Sequence, residues 1–169
     1  MNAHEGIPEC GFPLFLPTVI MDLNTILETK FNKIIDSSLL SLHRAQLESY
    51  HQSPDAKNRE RFEKLLKLIQ QGVQEKSLQP MRDYSIAVAK ERFTDGYDLQ
   101  EVFTAYNVIE EEVWKQISAE VDVAQIGRSL GLISTVLGAG KESLSVTYVS
   151  LATKTKTETL DLTEMFDRL

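Results

Sequence analysis

The fold is decided by residues 95–117, which read DGYDLQEVFTAYNVIEEEVWKQI. The Asp95–Gly96 pair predicts the end of one helix, because glycine takes the left-handed conformation found there, and the apolar Tyr97 then packs back. Asp98 and Glu101 have the spacing of a capping box, in which each side chain accepts a hydrogen bond from the other residue's backbone N–H. The helix that follows is amphipathic. Its predicted buried positions are Leu99, Val102, Phe103, Tyr106, Ile109, Val113, Trp114 and Ile117.

Helical periodicity recurs on both sides of this segment, while strand signals are nearly absent. Earlier apolar residues at helical spacing predict helices over 23–35, 37–51, 62–73 and 80–94, the first capped by Asp22 and the third preceded by a break at 53–55. The first two could continue into each other. Asp122 caps a last helix that reaches Thr153. We therefore expect an all-α fold, either globin-like or an antiparallel bundle of about five to six helices with a long C-terminal helix.

Composition limits the class of protein. The chain of 169 residues has room for one domain, and 42% hydrophobic with 25% charged residues is typical of a globular protein. The net charge of −7 argues against nonspecific binding to nucleic acid or to an anionic membrane surface, since both need a basic patch. Cys10 is the single cysteine, which excludes an internal disulfide and favours a reducing cytoplasm.

We divide the chain into three parts. Residues 1–21 are expected to form an extended arm, because this apolar start contains prolines and lacks the basic residues of a signal peptide. Residues 22–153 form the helical domain. Residues 154–169 form a polar linker and a short amphipathic tail. The longest apolar run is too short to span a membrane.

The negative charge is concentrated around the segment that decides the fold. Between Asp95 and Asp122 there are eight acidic residues and one basic residue, while the remainder of the chain is neutral. Within this block Glu110, Glu111 and Glu112 form a candidate surface for a basic protein partner, and a merely solvated helix face is the alternative. The three span most of a helical turn, so they cannot present all their carboxylates to one metal ion.

Small residues form a stripe along the last predicted helix. Gly127, Gly131, Ser134 and Gly138 fall on one side of it. Each glycine costs a helix up to about 1 kcal/mol relative to alanine, so the stripe indicates compensating close packing. The packed backbone belongs either to another helix of the chain or to the second copy in a homodimer. A ligand lodged in the groove, or a kink in the helix, would also account for the glycines.

No catalytic, cofactor-binding or metal-binding motif is recognisable. A di-iron carboxylate bundle needs two Glu-x-x-His pairs, which the three histidines do not supply. The stretch from Gly138 to Ser143 lacks the glycine spacing and the Ser or Thr of a phosphate-binding loop. His43 could ligate a haem, although a lone histidine on a helix is more often a surface or core residue. We expect no enzymatic activity, no cofactor and no metal.

Residues 89–114 resemble the core motif of the N-terminal domains of RsbR-type stressosome proteins, the RsbRD N-terminal domain family. The similarity rests on Ala89, Arg92, the Gly96–Tyr97 pair, Leu99 and Trp114. The resemblance implies a globin-related, haem-free sensory domain of bacterial stress signalling. It also implies a homodimer that passes a signal down its last helix to an output module of the STAS or kinase type.

Two hypotheses of function follow. The first is a non-enzymatic signalling domain whose last helix pairs two copies and transmits a signal, with a closed apolar pocket for a small apolar ligand beside Tyr106 and Trp114. The alternative is a scaffold or adaptor that senses no ligand, has a packed interior, and binds a basic partner through its acidic helix and its tail. The threonines of residues 153–159 are either a phosphorylation site or part of a solvated linker.

Overall fold

Every regular element between Met21 and Thr153, the residues that the computed structural model describes, is an α-helix. The helices in this range are α1 (Leu23–Thr29), α2 (Phe31–Arg44), α3 (Glu48–Gln52), α4 (Asp55–Glu75), α5 (Gln79–Thr94), α6 (Leu99–Glu120) and α7 (Val123–Thr153). The expected all-α bundle with a long last helix is confirmed. The predicted arm, apart from Met21, and the predicted linker and tail lie outside the described residues.

None of the described helices has both the length and the apolar character needed to cross a membrane.

Aspartate side chains cap the N-termini of the first and the last described helix, as the sequence predicts. The Asp22 carboxylate accepts hydrogen bonds from the backbone N–H groups of Asn24 and Thr25 at 3.0 and 3.1 Å. The Asp122 carboxylate accepts one from the N–H of Ala124 at 2.7 Å. Both sets of bonds satisfy donors that have no partner within the helix, so these two boundaries are fixed by local chemistry.

The junction between α5 and α6 also forms as predicted. Gly96 has a φ of 78°, and the N–H of Tyr97 donates to the carbonyl of Arg92 at 2.9 Å, which closes the end of α5. The capping box is present, and the backbone N–H of Asp98 donates to the Glu101 carboxylate at 3.4 Å. This turn fixes how α6 leaves α5.

The N-terminal third contains more helices than expected. The predicted helix 23–35 is divided at Lys30, whose Nζ pairs with Glu120 of α6 at 2.7 Å. The predicted helix 37–51 is interrupted before α3, where Gln46 takes a φ of 51°. The described range therefore holds seven helices instead of about five to six. Neither interruption contains glycine or proline, so neither carries a local signal.

The helices pack mainly on α7, which contacts α4, α5 and α6, while α2 packs on α4 and α6. Two glycines mark close approaches. A Cβ built on Gly140 would lie 2.8 Å from Ser85 Oγ of α5, and one on Gly72 would lie 2.9 Å from a methyl of Val136. Glycine thus permits the approach of α7 to α5 and of α4 to α7.

One predicted core position on α6 is wrong. Trp114 is 39% exposed, and Leu99 and Phe103 are half-buried, whereas the other five predicted positions are buried. Glu112 and Gln116 are buried as well. The buried face extends toward these polar residues because α6 packs against both α2 and α7.

Candidate functional site

The three glycines of the stripe on α7 face away from the other described helices. Gly127, Gly131 and Gly138 are exposed, and a Cβ built on any of them would meet no described residue within 4 Å. Within the stripe Ser134 does make a contact, since its Oγ donates to the Glu110 carboxylate at 2.9 Å. The hypothesis that these three glycines pack closely against another described helix of the chain is therefore wrong, because the buried residues of α7 lie on the opposite side of the helix. Pairing with a second copy stays a prediction.

The acidic triplet does not form one surface. Glu110 accepts hydrogen bonds from Ser134 and Lys141 of α7, and its side chain is only 14% exposed. Glu112 is buried and accepts a hydrogen bond from Ser41 of α2 at 2.9 Å. Glu111 alone is largely exposed, and it pairs with Lys115. Two of the three carboxylates thus bind α6 to its neighbours, which the sequence pattern does not reveal.

Tyr106 and Trp114 lie in different environments. Tyr106 is buried, and its hydroxyl lies 2.9 Å from Ser85 Oγ, while Trp114 is partly exposed. Burial raises the pKa of Tyr106 far above its ordinary value, since the phenolate would lose its hydration. The partly open cavity at Tyr106 has a volume of about 20 Å³ and is not lined by Trp114. That volume holds about one water molecule, so this cavity is too small for an apolar ligand, and a closed apolar pocket beside Tyr106 and Trp114 stays a prediction.

Arginine and tyrosine side chains that the sequence pattern does not bring together form a cluster where α3, α4 and α5 meet. We call it the arginine–tyrosine cluster; it consists of Tyr50 of α3, Arg61 of α4, Arg92 of α5 and Tyr97 after α5. The Arg61 guanidinium lies 5.7 Å from the ring centres of both tyrosines, and that of Arg92 lies 4.8 Å from Tyr97. The two rings meet edge to face at 5.3 Å. Each guanidinium is therefore within cation–π range of an aromatic ring.

The guanidiniums of the cluster have unused donors. The side chain of Arg92 is 3% exposed and pairs with Glu91 at 3.1 Å and Asp95 at 3.8 Å. Arg61 donates through Nη1 to Ser53 and Asn58 at 3.1 and 2.8 Å. Nε of Arg92 and both Nε and Nη2 of Arg61 are buried without a hydrogen-bond partner in the described part of the chain. Unpaired buried donors on a charged group cost stability, so they mark a place where an acceptor would be bound favourably.

An open groove of about 500 Å³ lies between α4 and α5 beside this cluster. Arg61, Tyr84, Val88 and Arg92 line both the groove and the small cavity behind it. The groove is lined by Lys57, Glu60, Arg61, Glu63, Lys64, Lys67, Tyr84, Ala87, Val88, Glu91 and Arg92, among which five basic residues outnumber three acidic ones. The groove is thus locally basic in a chain of net charge −7.

The sequence contained a partial signal for this groove. Lys57, Arg61, Lys64 and Lys67 follow one another at helical spacing on α4. Such a stripe usually indicates a solvated face, and nothing in its pattern shows that Arg92 of α5 lies beside it.

Histidine and acidic side chains form no metal site in the part of the chain that the structure describes: no group of three or more His, Cys, Asp or Glu residues could hold an ion there. His43 lies exposed at the end of α2, with Nε2 3.1 Å from the Asp55 carboxylate. It occupies a surface position.

Comparison of the chain with family models, with curated proteins and with solved structures finds no match.

Proposed function

We propose that the chain is a non-enzymatic, cytoplasmic signalling domain in which α7 pairs two copies and transmits a signal. The observation that carries the proposal is the exposure of Gly127, Gly131 and Gly138, at which a Cβ would have no neighbour within 4 Å among the residues that the structure describes. Each glycine costs the helix up to about 1 kcal/mol relative to alanine. Close packing of a second α7 along this side would offset that cost through dispersion contacts.

The placement of α7 suits transmission. A helix of 31 residues is about 46 Å long, and α7 packs against α4, α5 and α6. A change in how two copies pair would therefore alter contacts with each of these helices. The mechanism would be a shift between two arrangements of α7, biased by whatever binds one of them better. The resemblance of residues 89–114 to RsbR-type domains supports an output module of the STAS or kinase type as the recipient.

Trp114 offers a second group for the pairing surface. It lies one turn along α6 from Glu110, on the same side of that helix, and Glu110 contacts α7 at Ser134. An indole that is 39% exposed on the side of α6 that carries Glu110 is the type of residue that anchors protein interfaces. Pairing through this side would bury it.

Replacement of Gly131 by leucine tests the pairing. A Cβ at Gly131 meets nothing within 4 Å among residues 21–153, so the variant should fold as the wild type does. In a dimer the leucine would hold the second helix away, and we expect sedimentation equilibrium to show conversion of dimer to monomer. Trp114 fluorescence should shift to longer wavelength as the indole becomes more exposed.

Gln74→Leu is the matched control, because it adds the same side chain to an exposed position on α4. It should leave the dimer intact. A wild-type chain that sediments as a monomer at all concentrations would refute the proposal, as would a Gly131→Leu variant that dimerises like the wild type.

An adaptor that senses no ligand is the second candidate, and the packed interior favours it, since the cavity at Tyr106 is only about 20 Å³. Its predicted docking surface is reduced to Glu111, because Glu110 and Glu112 bind to α7 and α2. Salt separates the two candidates. Binding of a basic partner should weaken steeply with salt, whereas pairing of small residues along α7 should not.

A further inference from the structure

The groove between α4 and α5 has the electrostatics of an anion site. Along α4, three lysines and Arg61 face it, and Arg92 lies at its α5 side. Lys64 makes no ion pair with another described residue, and Lys57 reaches Glu91 only at 4.0 Å. The described acidic residues thus neutralise only part of the positive charge of the groove.

The inner part of the groove combines guanidinium donors with an apolar wall. Arg61 and Arg92 line both the groove and the cavity, and they carry the N–H groups that have no partner among the described residues. Those N–H groups are themselves buried, so an anion in the groove reaches them only when the guanidinium turns outward. Tyr84 and Val88 line the same boundary. A carboxylate or phosphate oxygen placed there would lie beside two guanidiniums and would accept their unused hydrogen bonds once a side chain turned toward it, and a side group next to it would contact an aromatic ring and a valine.

We propose that this groove binds a small molecule that carries a carboxylate or phosphate group, with Arg61 and Arg92 bound to its oxyanion and its apolar part against Tyr84 and Val88. The proposal names the class of ligand that the signalling domain would sense. Binding would act on α7 through α5, which packs along it, and only this effect rests on the proposed signalling function. Binding itself requires neither dimerisation nor an output module.

The dimensions and the acidic rim favour a small ligand over a polymer. A volume of about 500 Å³ is within the range of small-molecule sites. Glu60, Glu63 and Glu91 line the same groove and would repel the extended charge of a nucleic acid. A single oxyanion bound at Arg61 and Arg92 avoids most of this repulsion.

The test uses the full chain and three probes: benzoate, its neutral isostere benzamide, and inorganic phosphate. Isothermal titration at low salt measures binding, and thermal melting measures the stabilisation that binding produces. We expect benzoate or phosphate to bind at millimolar concentration or tighter, with affinity that falls as salt rises, and benzamide to bind more weakly. The relative affinities of benzoate and phosphate identify which oxyanion the groove prefers.

Variants assign the binding to the groove. Arg61→Gln removes a guanidinium and should weaken the preferred anion by about tenfold or more, as expected for the loss of charge-assisted hydrogen bonds. Lys64→Gln changes an exposed residue at the rim and should weaken it less, so it remains informative if Arg61→Gln fails to fold. Lys90→Gln is the control, because it removes the same charge from an exposed position of α5 outside the groove.

The proposal is overturned if neither anion binds, if benzamide binds as well as the preferred anion, or if both groove variants bind like the Lys90→Gln control. Repeating the titration with Gly131→Leu separates the two proposals. If the anion still binds to a chain that forms no dimer, the binding site is supported. The proposed pairing through α7 is then tested by sedimentation alone.

Discussion

Gly131 and Gly140 of α7 differ in what surrounds them, although they belong to the same helix. A Cβ on Gly140 would lie 2.8 Å from Ser85 Oγ and 2.9 Å from Met81 Cγ, while a Cβ on Gly131 would meet nothing within 4 Å in the described range. Ser85 cannot turn away without cost, since its hydroxyl is hydrogen-bonded to buried Tyr106. The packing of α7 on α5 therefore requires glycine at position 140, whereas no described contact within a single chain requires glycine at position 131.

Alanine substitutions should separate these two glycines. Gly140→Ala should lower the free energy of unfolding by about 1–3 kcal/mol, because the methyl overpacks the contact between α5 and α7. Gly131→Ala should raise it by up to about 1 kcal/mol through helix propensity alone. Urea denaturation at a protein concentration too low for association measures both. Equal effects of the two substitutions would contradict the assignment of the two faces of α7.

At the scale of helices, carboxylates of α6 determine much of how it attaches to its neighbours. Glu110 joins it to α7 through Ser134 and Lys141, and Glu112 joins it to α2 through Ser41. The Lys141 side chain is 20% exposed, so the Glu110 pair is largely shielded from water. Shielded, hydrogen-bonded ion pairs lose more when one partner is removed than exposed pairs do.

Neighbouring glutamates should therefore respond differently to the same change. Glu110→Gln should destabilise the protein by about 1–3 kcal/mol, because Lys141 loses its charged partner. Glu111→Gln should change stability by less than about 0.5 kcal/mol, since its pair with Lys115 is exposed on both sides. Chemical denaturation of the two variants beside the wild type measures this difference. A larger loss for Glu111→Gln would show that the exposed pair is the important one.

For the whole molecule, buried tyrosines link stability to pH. Burial raises the pKa values of Tyr50, Tyr84, Tyr106 and Tyr148, and that of Tyr148 to about 12. A raised pKa in the folded state means that the neutral phenol is preferred there. The stabilisation is complete below the unfolded value of about 10 and is lost as pH rises through the folded values.

We therefore expect the free energy of unfolding to be insensitive to tyrosine ionisation below about pH 10 and to fall between about pH 10 and 12. Tyrosinate absorbance should rise together with the loss of helical circular dichroism. Tyr148→Phe should delay part of this loss, because it removes one of the groups that ionise on unfolding. Titration of all tyrosines near pH 10 with intact helices would contradict the expectation.

The sequence by itself determined the local features of the fold. The caps at Asp22 and Asp122 and the turn at Gly96 could be predicted because they depend on residues within a few positions of each other. The helical class followed from periodicity for the same reason. The breaks at Lys30 and Gln46 could not be predicted, since neither contains a residue that ends helices by its own geometry.

Only the tertiary structure decided which helix face meets which neighbour. It placed the glycine stripe of α7 toward solvent, divided Glu110, Glu111 and Glu112 among three environments, and brought Arg92 beside Arg61. These outcomes depend on contacts between residues distant along the chain. A helical period does not predict such contacts, because it shows which residues share a face of a helix and not which other helix packs against that face.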